Sequence, residues 1–305
     1  MALYKLGDNL ELIKESPFRL EKEIQKVTEV HLSTILKLEF VKSEFALNNF
    51  RIDTLAFDKE ANSFVIIEYK RDKNFSVIDQ GYAYLSLMLN NKADFILEYN
   101  EQCEGTLKRN DVDWSQSRVL FISPSFTNYQ REAINFKDLP IELWEVKKYQ
   151  NDTVTYEQIQ KSGAQESIKT ISRNDEATEK VTRELEVFTE QDHIQKSEYE
   201  IKELYENLKG RIINLADSIT LNPRKNFVGF KIDGNTFCDV VFQSKSLKIF
   251  LNLKSGELDD AKGIARDVSN VGHWGNGSYE IKILDTEELE YVLSLIKQSL
   301  RENGE

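Results

Sequence analysis

The chain has 305 residues, 40% of them hydrophobic and 30% charged, with 13 Gly, 4 Pro and 2 Cys. That length favours two domains, and the composition excludes collagenous, disordered and disulfide-stapled classes. The formal net charge of −12 argues against a uniformly basic nucleic-acid binder. Residues 151–210 nevertheless carry 8 Lys and Arg against 14 Asp and Glu, half of the whole excess. Affinity for nucleic acid rests on a local basic groove, not on the total. No basic stretch followed by an apolar core opens the chain, so no signal peptide is expected. Apolar runs such as 82–89 and 119–122 are too short to span a bilayer. Cys103 and Cys238 lack CxxC spacing and read as free thiols in a reducing cytoplasm.

Between residues 17 and 38, Leu20, Ile24, Val27 and His31 recur at helical spacing and predict a helix. Short β-type runs follow at 51–57, 64–70, 94–99, 118–123 and 141–149, with a helix-like segment at about 77–89 between the second and third. Elements mixed in that order predict an α/β sandwich over residues 1–150. Residues 151–192, rich in Gln, Glu, Lys, Ser and Thr, read as an acidic polar linker. From residue 193 a helix carries Ile201, Leu204, Tyr205, Leu208, Ile212 and Leu215 on one side, up to a break at Asn222-Pro223. Strands at 226–232, 237–242 and 247–253 and a closing helix at 287–300 make residues 193–305 a smaller α+β domain.

The chemistry concentrates in the first pair of strands. Runs 51–57 and 64–70 flank Asp58-Lys59-Glu60-Ala61-Asn62-Ser63, which is turn-like, and so predict a hairpin. A symmetric hairpin that pairs Asp58 with Ser63 also pairs Asp53 with Glu68, their Cβ atoms roughly 4.5–5.5 Å apart. Alternate residues share a face, so Glu68 and Lys70 point the same way and Arg51 faces Lys70. Facing carboxylates destabilise a sheet unless compensated. Phe64 and Ile66 on the same face make the setting semi-buried, and a divalent cation is the natural compensation. Oxygen donors of this kind suit Mg2+ or Mn2+.

The arrangement Asp53 … Glu68-Tyr69-Lys70 resembles the D…(D/E)xK core of the PD-(D/E)xK nuclease superfamily. Gln80-Gly81-Tyr82-Ala83-Tyr84 fits the QxxxY helix motif of its RecB-like branch, with Gln80 and Tyr84 neighbours on one helix face. The stretch 20–97 looks like a family of endonuclease-like proteins related to NucS, which pair Arg51-Ile52-Asp53-Thr54-Leu55 with Val65-Ile66-Ile67-Glu68-Tyr69-Lys70. Ile52 stands where the motif's first element is Pro. The resemblance implies a restriction-endonuclease-like mixed sheet flanked by helices. It also implies a Mg2+- or Mn2+-dependent enzyme that hydrolyses phosphodiester bonds of DNA, with a homodimer left open. Asp53, Glu68 and the main-chain carbonyl of Tyr69 would bind the metal, and Lys70 would orient or deprotonate the attacking water. Gln80 and Tyr84 would position the site or touch the DNA backbone, and Glu23, in the first helix, would add a further acidic group near the metal. Arg51, Arg71 and Lys73 are the candidate phosphate contacts. Some relatives keep the fold without activity, so a silent module that binds nucleic acid or a protein partner is the alternative.

Residues from about 193 to 300 resemble a domain family of unknown function often fused behind nuclease-like domains. The matching stretches are 239–253, Gly256-Glu257-Leu258-Asp259-Asp260, Ala265-Arg266-Asp267-Val268 and Val271-Gly272-His273-Trp274-Gly275-Asn276-Gly277. The last is a Gly-rich turn with an imidazole and an indole at its centre. It either presents His273 and Trp274 to a ligand, for instance by stacking on a base, or turns Trp274 inward as an anchor. Arg266, His273 and Trp274 are the candidate residues of this domain, in a sensing or targeting role. Zinc spacing, a P-loop and a GxSxG elbow are missing, and His31, His193 and His273 are too scattered for a histidine metal cluster.

Overall fold

The unbroken apolar run Phe64-Val65-Ile66-Ile67 demands cover on both of its faces, because successive side chains point to opposite sides of a sheet. The computed structural model describes residues 2–71, 75–161, 166–167, 181–195 and 197–304, and the chain divides into two units, Met1–Val187 and Phe188–Glu305. In the first unit the apolar run lies in strand β5 (Ser63–Tyr69), every residue of which is buried. Ahead of it come a short hairpin of β1 (Leu3–Lys5) and β2 (Glu11–Ile13), then β3 (Glu39–Leu47) and β4 (Phe50–Asp58). After it come β6 (Arg118–Ser123), β7 (Ile141–Lys148) and β8 (Val154–Gln158). Strands β3 to β8 form one six-stranded sheet in sequence order. β5, β6 and β7 run parallel, and the outer neighbours pair antiparallel.

Helices cover both faces. Ile24 of α1 (Glu21–Val30) and Leu32 of α2 (Leu32–Leu36) join a core with Ala56, Val65, Ile67, Leu120 and Ile122. Leu85 and Met88 of α3 (Val77–Asn90) and Phe95 of α4 (Lys92–Gln102) join the opposite core with Leu55, Phe57, Phe64, Ile66 and Phe121. The unit is thus a mixed α/β sandwich, and α5 (Asn128–Ala133) lies on the connection from β6 to β7.

Several expectations need correction. The run 94–99 is not a strand: it lies inside α4, where Phe95 and Tyr99, four residues apart, are buried while Leu97 is exposed. The period is helical, not alternating. In α1 the buried face is Ile24, Gln25 and Thr28, whereas Leu20 and His31 are exposed. Apolar spacing misled there because two of the buried residues are polar and satisfied by hydrogen bonds. Thr28 Oγ1 donates to the Ile24 carbonyl at 2.9 Å, and Gln25 Nε2 donates to the Asp53 carbonyl, also at 2.9 Å. Part of the expected linker is sheet, since β8 pairs with β7 from Trp144–Gln158 to Lys148–Val154. Its mostly half-buried, polar residues are those of an edge strand.

The second unit opens with α6 (Glu190–Ile194) and α7 (Tyr199–Ile213) and closes with α8 (Leu289–Asn303). Between them, β9 (Thr220–Pro223), β10 (Val228–Ile232), β11 (Asn235–Gln243), β12 (Ser246–Leu251), β13 (Ala265–Asp267) and β14 (Tyr279–Ile283) form an antiparallel sheet in the order β13-β14-β12-β11-β10-β9. Leu204, Leu208, Val292 and Ile296 of the helices form one core with Val240, Ile249 and Ile281 of the sheet. Asn222-Pro223 is not a break but the end of β9, an edge strand, where a missing N–H is tolerated. Among the described residues no helix is long and apolar enough to cross a membrane. Cys103 and Cys238 are free thiols.

α3 sits close on the sheet at Gly81, where an added Cβ would lie 2.4 Å from Ile141 Cδ1 of β7. Gly81→Val is therefore expected to lower stability by about 1–3 kcal/mol through overpacking, read from the urea midpoint. An unchanged midpoint would show that α3 can lift away freely.

Candidate functional site

The paired stretch of β4 and β5 runs from Asp58–Ser63 to Thr54–Ile67, the register of the symmetric hairpin. One residue further along each strand, Asp53 and Glu68 come to its open end. By alternation they share the face of Leu55, Phe57, Phe64 and Ile66, beneath α3. β5 still pairs with β6 at this level, Glu68 beside Phe121 and Tyr69 beside Ile122, and the Lys70 N–H donates to the Ile122 carbonyl at 2.9 Å. The carboxylates thus lie at the carboxyl end of the parallel strands, the edge where open α/β sheets receive ligands.

Glu68 is only 4% exposed. Its Oε1 accepts hydrogen bonds from Lys70 Nζ at 2.7 Å and Gln80 Nε2 at 3.1 Å. Its Oε2 is buried and has no hydrogen-bond partner. Leaving such an atom unsatisfied costs on the order of 1–3 kcal/mol, and more when the group is charged. Asp53 Oδ2 accepts the Tyr69 N–H at 3.0 Å. Burial, and next the charge of Glu68, push the Asp53 carboxyl from 3.8 up to about 6, against the pull of the Tyr69 N–H and Lys70. Asp58, at the other end of the same hairpin, supplies the contrast. It is equally buried, but it accepts the N–H groups of Glu60 and Ala61, both at 3.0 Å, and the Arg118 guanidinium at 2.9 Å. Asp58 has the partners of a structural carboxylate, while Asp53 and Glu68 share one ammonium between two acids.

A further cation fits that deficit. Among the described residues no group of three or more His, Cys, Asp or Glu side chains is arranged to hold a metal. The hairpin end offers two carboxylates and main-chain oxygens, a donor set that suits Mg2+, which keeps several waters and takes substrate phosphates as further ligands.

Ser76 caps α3, its hydroxyl accepting the Asp79 N–H at 3.3 Å, which places Gln80 in the helix's first turn. Gln80 Nε2 bridges Glu68 Oε1 and the Tyr84 hydroxyl, the latter at 3.2 Å. Tyr84 is 6% exposed, and burial, then the Glu68 charge, raise its phenol above the ordinary range, so it stays neutral. The side chain of Tyr69 lies on the opposite face, in the core with Ala56 and Val65, so only its backbone belongs to the site.

Other sequence candidates fall elsewhere. Glu23 is exposed and its Oε2 accepts the Arg19 N–H at 2.9 Å, on the side of α1 away from the hairpin. The α1 residues that reach the hairpin are Glu21, which accepts the Arg71 N–H at 2.9 Å, Gln25, on the Asp53 carbonyl, and Glu29, which accepts the Thr54 hydroxyl at 2.6 Å. Their four-residue spacing is a polar stripe, detectable only once the helix face is known. Arg51 does not face Lys70: it lies beyond the β4–β5 pairing, exposed, with its Nε 2.7 Å from Glu44. Arg71 is exposed beside Lys70. Lys73 lies outside the described residues. In the second unit, Trp274 is 66% exposed and does not anchor its loop; His273 does, stacked on Phe250 with ring centroids 5.3 Å apart. Arg266 is exposed on β13, opposite Glu280 of β14.

The chain is 51% identical to an uncharacterized protein of Haemophilus influenzae over 293 residues, which is 96% of this chain and 97% of that protein. It belongs to that protein's family. A family described as a domain of unknown function, DUF5655, matches residues 190–301. Similar solved structures include a complex of EndoMS with double-stranded DNA (TM-score 0.27, 13% identity, 44% of this chain and 60% of that one). Others are a repair endonuclease from Pyrococcus abyssi (0.23, 14%, 44% and 60%) and SfsA of Pyrococcus furiosus with Ca2+ (0.25, 13%, 52% and 74%). The chain thus spans 60% of the length of the two endonuclease structures. At these TM-scores the reading of the site rests on its own geometry.

The raised Asp53 carboxyl has a consequence for stability. The folded state holds its proton more tightly than the unfolded chain, so this group's contribution falls as pH rises from about 4 to about 6 and stays unfavourable above. Asp53→Asn, which can still accept the Tyr69 N–H, is expected to stabilise the metal-free protein at neutral pH by on the order of 1–3 kcal/mol. Below pH 4 the gain should vanish. Thermal melts across that range test it, and a variant no more stable than the parent at pH 7 would show that Asp53 is not strained there.

Proposed function

We propose that the N-terminal unit is a divalent-metal-dependent DNA endonuclease that hydrolyses phosphodiester bonds, with the C-terminal unit in a targeting or sensing role. One observation carries the reading: Glu68 keeps a buried oxygen without a partner at the end of the hairpin it shares with Asp53, while Lys70 holds its other oxygen. Asp58, at the other end of the same hairpin, has both oxygens satisfied. The choice of DNA as substrate is supported by the motif resemblance of residues 51–84.

Bound Mg2+ or Mn2+ supplies Lewis acidity toward a phosphate oxygen and acidifies a water molecule. Asp53, Glu68 through Oε2 and the Tyr69 carbonyl are the groups that would hold it. Lys70 and Gln80 occupy Oε1 and so fix which oxygen of Glu68 remains available. Gln80 is itself steadied by the Tyr84 hydroxyl, which makes both positioning residues. The Lys70 ammonium, 20% exposed, places a positive charge at the cluster's open side, where it can donate to a water or to a phosphate oxygen gathering charge. Arg71 next to it is the candidate for a flanking phosphate contact.

Incubation with Mg2+ or Mn2+ and single-stranded, duplex, branched and mismatched DNA tests the proposal. Cleavage is expected on at least one substrate, with kcat lowered at least about a hundredfold by Asp53→Ala or Lys70→Ala and less by Gln80→Ala. If none is cut with either metal, and the protein binds DNA or a protein independently of Lys70, the chain is a silent binding module instead.

A further inference from the structure

On the side of the C-terminal sheet away from α7 and α8 lies a cavity of about 640 Å3, lined by Val241, Lys248, Phe250, Arg266, Trp274 and Glu280 among others. That volume falls in the range of small-ligand sites. One wall is the loop from Val271 to Gly277, and its fixings leave Trp274 without a structural task. The His273 ring lies at 6° to the plane of Phe250, with its nitrogens 2.7 and 2.9 Å from the carbonyl oxygens of Val271 and Gly277. Asn276 donates twice to Oδ2 of the buried Asp239, from its main chain at 2.6 Å and its side chain at 2.8 Å. A Cβ on Gly277 would lie 1.9 Å from the Leu251 carbonyl oxygen, and one on Gly275 would lie 2.3 Å from Phe250, so the backbone is pressed against the sheet. Residues on both sides of Trp274 are held, yet its indole is 66% exposed.

Arg266, exposed on β13, lines the same cavity and has no ion-pair or hydrogen-bond partner among the described residues. Lys248 and Glu280 pair at 2.8 Å within the lining, which leaves the guanidinium as the uncompensated charge. Gln243 adds amide N–H donors, its oxygen already accepting from the Ser246 hydroxyl at 2.9 Å. A free aromatic face, a free guanidinium and an edge amide able to donate match a planar heterocycle that carries an anion.

We propose that this cavity binds a nucleotide, its base stacked on Trp274 and its phosphate on Arg266. The site shares no residue with the carboxylate pair, so it stands whether or not the N-terminal unit cleaves DNA. The same chemistry has two sources, a free nucleotide or a nucleotide within a single strand.

Fluorine NMR of the full chain labelled with fluorotryptophan separates them. The protein has three tryptophans, Trp114, Trp144 and Trp274, and loss of one resonance in Trp274→Phe assigns the probe. Addition of nucleoside monophosphates to millimolar concentration, or of a short oligothymidylate, is expected to shift the Trp274 resonance and leave the other two. Arg266→Ala should weaken the response about tenfold or more, and the corresponding nucleosides, which lack phosphate, should bind more weakly. Both variants change exposed side chains, and their melts should match the parent's. A shift with monophosphates identifies a free-nucleotide site, and a shift with the oligonucleotide alone identifies single-stranded nucleic acid as the source. An immobile Trp274 resonance with every ligand, or one whose shift is indifferent to Arg266→Ala, overturns the proposal. Repeating the titration in Asp53→Ala keeps the result apart from any failure of the endonuclease reading.

Discussion

Two carboxylates on facing strands, with one ammonium between them, are the constraint around which the N-terminal unit is organised. Asp53 and Glu68 share one face of the hairpin because the turn from Asp58 to Ser63 fixes its register. A one-residue slip would send one set of side chains to the other face. Glu68 keeps Oε2 free because Lys70 and Gln80 hold Oε1. Gln80 reaches it because Gly81 lets α3 lie tight on β7. Register, helix cap and helix seating all converge on the orientation of a single carboxylate.

The sequence showed this cluster more clearly than it showed the fold around it. Alternation and turn composition are local, so the hairpin, its register and α3 could be read directly from residues 51–89. The stretch 94–99 was read with the wrong period, because six residues of Asp, Phe, Ile, Leu, Glu and Tyr satisfy either pattern and only tertiary packing decides between them. β3 escaped notice because a bulge between Phe40 and Lys42 breaks the alternation of its apolar residues, and β8 because its mostly polar residues lack an apolar signature. The supporting role of α1 was misassigned to Glu23 for a related reason. Its hairpin-facing stripe of Glu21, Gln25 and Glu29 is polar, and polar stripes look like solvent faces until their partners are known.

Both units bury carboxylates on their sheets. In the first, Asp53 and Glu68 are left short of partners, the state expected of groups that await a ligand. In the second, Asp239 sits wholly buried on β11 with Oδ2 taken by two donors from Asn276, and its work is to hold a loop. Burial alone therefore does not mark a reactive acid. What sets Asp53 and Glu68 apart is that two acids face each other with one ammonium between them.

Tyr69 links the two layers of the N-terminal unit. Its amide donates to Asp53 on one side of the sheet, while its hydroxyl, on the other side, lies 3.2 Å from the hydroxyl of Thr54, which donates to Glu29 of α1. Gln25 of the same helix grips the Asp53 carbonyl. The acid cluster is thus braced from behind, through the thickness of the sheet, by a helix that never meets its solvent-facing side. Residues of α1 remote from any ligand become part of the machinery's tolerance. A shift of that helix by a few tenths of an ångström would reach the carboxylates through the backbone before any side chain in front had moved.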